Sequence, residues 1–135
     1  MAAERHRELG CKFFEAQDRL RGGPDPDLCA SNYLARIGGN PPMTLPDHQA
    51  FANAFYAGFP NLRHTVEETI ADDAKVVVRF TLRGTHQGEF MGIQPSQKDI
   101  EVGAIAILSI ANGKVTEVRG QFDQLGMMRQ LGVIQ

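Results

Sequence analysis

From Leu62 onward the apolar residues of this chain recur at every second position, whereas before it they recur at helical spacing. That change of period confines the chain to an α+β layout, with helices first and an antiparallel run of strands after them. Residues 61–70, 75–86, 99–110 and 114–122 read as four strands joined by short polar turns. The turns are Ala71-Asp72-Asp73-Ala74 and Ala111-Asn112-Gly113-Lys114, the second carrying the Asn-Gly pair that favours a tight hairpin. Between the second and third strands, residues 87–95 are too long for a tight turn and too apolar to be solvated. Phe90, Met91 and Ile93 are expected to pack over a cavity mouth or a partner.

Ahead of the strands, Leu9, Phe13, Ala16, Gln17 and Leu20 follow helical spacing with one polar exception, and Gly22-Gly23-Pro24 ends the run, so a first helix covers residues 3–21. Asp25 before Pro26 reads as the cap of a second, short helix through Leu28, Tyr33 and Leu34, closed by the turn cluster Gly38-Gly39-Asn40-Pro41-Pro42. Thr44 with Asp47 opens a third, whose Phe51, Ala54, Phe55 and Phe59 share one face. A last helix runs through Leu125, Met128 and Leu131 to Gly132. The expectation is one domain over residues 1–135, its helices gathered on one face of a curved sheet.

Charge narrows the function classes. With 14 Lys and Arg against 16 Asp and Glu there is no cationic surplus for phosphates, so no nucleic-acid partner is expected. No apolar run reaches the length of a membrane span, and the charged start does not resemble a secretory signal, so the expectation is a cytoplasmic protein with no membrane partner. Cys11 and Cys29 lack CxxC spacing and are expected as thiols. His6, His48, His64 and His86 form no HxH, HxxxH or HExxH pair, so no metal site is expected. A small-molecule ligand remains the natural partner.

Three blocks, residues 59–68, 84–93 and 121–132 (Gln121-Phe122-Asp123-Gln124-Leu125-Gly126-Met127-Met128-Arg129-Gln130-Leu131-Gly132), closely resemble the SnoaL-like polyketide cyclase family, also called ester cyclases, of the nuclear transport factor 2-like superfamily. The resemblance runs from about residue 8 to residue 133. It implies a cone-shaped, curved antiparallel sheet wrapped around N-terminal helices, with a short C-terminal helix and usually a homodimer. It further implies a cofactor-free intramolecular aldol ring closure of a polyketide methyl ester, with an aspartate of the last strand as general acid/base, the place that Asp123 occupies. The family's tryptophan four residues before that aspartate is Arg119 here, and its DxxxH-like segment has Asn32 and Arg36. A non-catalytic homodimeric binding domain of the same fold is the rival reading.

The candidate catalytic residues are Asp123 and His86. On alternation alone, Val115, Glu117, Arg119, Gln121 and Asp123 share a face that could be the solvated side of the last strand, and Asp123 could equally cap the last helix near Gly126. The resemblance turns Asp123 toward an apolar interior, walled by Phe80, Leu82, Phe122 and Met128. His86 ends the inward row Val76, Val78, Phe80, Leu82 and Gly84, where it could be a second acid/base, an orienting donor or only a turn residue. Arg119 either binds a substrate oxygen or pairs with Glu117 or Glu101. Gln121, Asn32, Tyr33, Arg36, Phe55, Phe80 and Met128 complete the expected substrate-binding set, the aromatic members doubling as core.

Overall fold

A computed structural model describes residues 1–134. Helix α1 spans Ala2–Leu20 and buries Gly10, Phe13, Phe14, Ala16 and Gln17. It lies on the sheet so closely that a Cβ at Gly10 would stand 3.0 Å from the Val78 side chain. Arg21, in the left-handed region at φ 55°, ends it. Helix α2, Leu45–Gly58, begins where the Thr44 N–H donates to the Asp47 carboxylate at 3.3 Å, the reciprocal contact that the Thr-x-x-Asp spacing implies.

One expected helix is absent. Asp25 does cap a turn, accepting from the Asp27 N–H at 2.9 Å, but that turn is a single 3-10 stretch, Pro26–Leu28. Strand β1, Cys29–Ile37, follows it. The strand pairs in parallel with a segment some eighty residues away, Ala35 beside Val118 and Arg36 beside Arg119. Tyr33 and Ala35 are buried at period two, whereas Leu28, Tyr33 and Leu34 alone mimic helical spacing. Long-range pairing overrode a weak local pattern.

The remaining strands are β2 (Arg63–Ala71), β3 (Lys75–Thr85), β4 (Asp99–Ala111) and β5 (Lys114–Phe122), close to the expected bounds. The sheet order is β1-β5-β4-β3-β2, antiparallel except at the β1–β5 edge. Along β4, Ile100, Val102, Ala104, Ala106, Leu108 and Ile110 face the core while Ile105 and Ile107 remain 48% and 37% exposed. α1 packs against β2 and β3, α2 against β1, and helix α3, Gln124–Gln130, against β4. The helices and the concave sheet face thus enclose the apolar interior between them.

The loop after β3 folds inward as its composition demands. Phe90 is 2% exposed and meets Phe55 and Phe59 at ring distances of 4.8 and 5.2 Å, while Met91 points outward. Cys11 and Cys29 are free thiols, and burial pushes the Cys29 thiol up to about 12.

Candidate active site

A cavity of about 90 Å³ lies between α1, α2 and the concave sheet face, room for several waters or one compact group. Its walls are overwhelmingly apolar, with Phe13, Phe14, Phe51, Phe55, Phe80 and Phe122 among them. No Lys, Arg, Asp or Glu side chain lines it, and its polar groups are Gln17, His48, Tyr56, His64 and Gln121. A second hollow, of about 330 Å³ and lined by Asn40, Met91 and Met127, shares Phe51, Phe55 and Phe122 with the first.

His64 is held from behind by Asp18. The strand β2 pairing sets His64 beside Leu82 and Val66 beside Phe80, which carries the imidazole to the concave face. Asp18, near the end of α1, accepts the His64 Nδ1–H at 2.7 Å and the Tyr56 hydroxyl at 2.7 Å on one oxygen, and the His64 backbone N–H at 2.7 Å on the other. Burial alone would raise the Asp18 pKa, but the hydrogen bonds and charge of His64, with the Tyr56 hydroxyl, outweigh it and hold the carboxyl below its ordinary range. An ionised carboxylate so placed keeps the proton of a neutral His64 on Nδ1. Nε2 then carries the lone pair, and it has no hydrogen-bond partner among the described residues. Phe14 and Phe80 flank the ring at 5.2 and 5.3 Å.

The second histidine of the cavity has the opposite polarity. His48, on α2, is 5% exposed and contacts the Tyr33 hydroxyl through Nδ1 at 2.7 Å. Burial lowers the His48 pKa to about 4, with the neighbouring His64 adding to it, so the ring is neutral near pH 7. Burial likewise raises the Tyr33 hydroxyl, which keeps its proton. That proton has no other acceptor among the described residues, so Tyr33 donates to Nδ1 and the His48 proton resides on Nε2. Gln17, 4% exposed on the same wall, has a side-chain amide with no hydrogen-bond partner among the described residues.

The structure gathers only part of the expected set here. Phe55, Phe80 and Gln121 line the cavity, and Tyr33 supports it through His48. Met128 packs against the core beside it. Arg119 and Arg36 lie outside, on exposed surface, both paired to Glu117 at 3.1 and 3.0 Å, because the parallel β1–β5 register sets the two arginines side by side. Asn32 is exposed on β1. Asp123 is exposed and accepts the Gly126 N–H at 2.8 Å as the cap of α3, away from the cavity lining. The β5 strand ends at Phe122, so the carboxylate leaves the sheet with the turn instead of pointing inward. His86 is fully buried but not on the cavity wall. Its ring stacks on Phe59 at 5.4 Å and its Nδ1 accepts the Ser96 N–H at 3.2 Å, while Nε2 has no partner among the described residues.

Sequence spacing did not single out Asp18 or His48, and His64 stood out less than His86. Gln17 carried a signal, as the polar exception in the apolar stripe of α1. Asp18 and His64 are 46 residues apart, and only the packing of α1 on β2 joins them.

A profile of the SnoaL-like polyketide cyclase family matches residues 24–131. The chain belongs to that family. Its fold is shared by AclR from Streptomyces galilaeus, a hydroxylase candidate, at 24% identity over the whole of both chains with a TM-score of 0.88. IdmH from Streptomyces antibioticus, a polyketide cyclase candidate, is 23% identical over 93% of this chain and 97% of its own, with a TM-score of 0.82. TsrD from Streptomyces laurentii is 26% identical over 97% of both chains, with a TM-score of 0.80. No curated protein matches the sequence. These three structures share the α+β fold described above. No helix among the described residues is long and apolar enough to cross a membrane.

Proposed function

We propose that this SnoaL-like protein is an acid/base enzyme that enolises a largely apolar small molecule without a cofactor, in the manner of an aldol-type cyclase, with His64 as the proton-transfer group. The observation that supports this most is the 2.7 Å Asp18–His64 contact at the wall of a largely apolar cavity. A carboxylate that fixes the tautomer of an imidazole lining a cavity, and leaves its other nitrogen unpaired, is the arrangement a general base needs. Nε2 takes the proton from the carbon beside a carbonyl, the C–H electron pair forms a carbon–carbon double bond, and the carbonyl π pair moves to oxygen. The resulting enolate attacks a second carbonyl when the substrate supplies one, and the imidazolium returns its proton.

The test is exchange of the methyl protons of acetophenone in deuterium oxide, followed by proton NMR. The expected result is exchange above the buffer rate that His64→Gln abolishes. Exchange undiminished in that variant but lost in Asp123→Asn would transfer the role to the carboxylate that family resemblance suggests. A second copy of the chain over Ile105 and Ile107 belongs to the same proposal, and sedimentation as a monomer at micromolar concentration would exclude it.

A further inference from the structure

Resting on His64 as the base, we propose that Gln17 and His48 form a neutral hydrogen-bonding site for the substrate's carbonyl oxygen, so that the substrate is an uncharged enolisable carbonyl compound and not a carboxylate. Two side chains from different helices converge on the cavity that His64 borders. Each is at least nine-tenths buried, and each has a polar group without a partner among the described residues: the Gln17 amide, and His48 Nε2. Neither group is sealed in the interior, since among the described residues the fully buried side-chain polar atom without a partner is His86 Nε2; donors that reach a cavity unpaired mark where a ligand's acceptor sits.

The tautomer gives the site its sense. Because Tyr33 donates to Nδ1, His48 presents an N–H, and a buried neutral imidazole donates without giving up its proton. Gln17, which lines the same cavity, adds an amide N–H. When His64 removes the α-proton, negative charge grows on the carbonyl oxygen, and preorganised donors in a dry cavity stabilise that charge most. The same wall rejects a carboxylate. With no lysine or arginine on it, an ionised ligand would lose its hydration without gaining a counterion, and Asp18 already neutralises any charge on His64.

Infrared spectroscopy of acetophenone bound to the intact protein tests this apart from turnover. The expected result is a carbonyl stretch moved below its frequency in hydrocarbon solvent, a shift largely lost in Gln17→Met and in His48→Phe but kept in His64→Gln. Loss of one donor should also weaken binding about three- to tenfold. Benzoate, of the same ring size, should compete only at higher concentration than acetophenone. A stretch that does not move, a shift insensitive to both donor variants, or benzoate displacing the ketone at lower concentration would overturn the proposal. Gln17→Met preserves length and apolar packing, so it decides the matter even if His48→Phe leaves Tyr33 stranded and unfolds. Failure of the exchange assay with the shift intact would remove the His64 reading and leave the donor site standing.

Discussion

Asp18 and Asp123 are the same side chain in two settings, one packed between helices and sheet and one at a solvent-exposed turn, and their surroundings give them different work. Asp18 sits half-buried between α1, α2 and β2, where three donors crowd its two oxygens and one of them is an imidazole bordering the cavity. Asp123 stands in solvent at the β5–α3 turn and accepts the Gly126 N–H. Charge in the first setting is communicated to a ligand space through His64. In the second it stays with the helix terminus, where it supports the first turn of α3. Motif position therefore matters less than what packs around a carboxylate, a point that family resemblance alone does not reveal.

The sharpest way to break this comparison is to remove the imidazole. His64→Gln should lower ketone α-proton exchange by about 10² to 10⁴, the usual worth of a positioned general base. Asp18→Asn should cost on the order of 10², because an amide no longer holds the neutral His64 tautomer or balances the imidazolium. If both variants exchange at the rate of the unmodified protein, the inner aspartate is structural and the contrast with Asp123 disappears.

Next in size is a pH effect on stability at the cavity that His64 borders. His48 has its folded-state pKa lowered to about 4 from a reference value of 6.5, so the unfolded chain binds a proton that the folded chain refuses over that interval. Above pH 6.5 the group contributes nothing to the slope. As pH falls from 6.5 to 4 the fold loses about 3 kcal/mol through this residue alone. His48→Gln, which keeps a partner for Tyr33, should flatten that part of the curve in urea titrations at stepped pH. A difference curve without slope would mean that the ring is hydrated in solution, and the neutral-donor geometry would go with it.

How much of this was legible beforehand follows from the range of each interaction. Strands β2 to β5 announced themselves because Val76, Val78, Phe80 and Leu82 alternate within one segment and close through local hairpins. Strand β1 did not, because its partner is β5 and its own residues, Ala30-Ser31-Asn32 among them, carry little alternation. Phe55 and Phe80 were readable as inward residues from helix and strand face, whereas Gln121 shares the face that alternation alone leaves open to solvent. The Asp18–His64 pairing was not legible, since Asp18 looks like one more charge after an apolar helical stripe and His64 like a strand-edge residue. Arg119 and Arg36 were separated from any pocket by the one edge pairing that local pattern could not show.

The smallest effect sharpens the outer end of the comparison. A capping aspartate can be replaced by asparagine with little loss, since both accept the same N–H, whereas alanine removes the acceptor and costs about 1 kcal/mol. An acid/base aspartate behaves differently: asparagine and alanine abolish its chemistry alike. Asp123→Asn should therefore match the unmodified protein in both melting temperature and exchange rate, and Asp123→Ala should melt a few degrees lower at unchanged exchange rate. Thermal melts and the acetophenone assay on the two variants separate these patterns. Equal loss of exchange in both, with melting undisturbed, would make Asp123 chemical after all and would require the β5–α3 turn to rearrange when substrate binds.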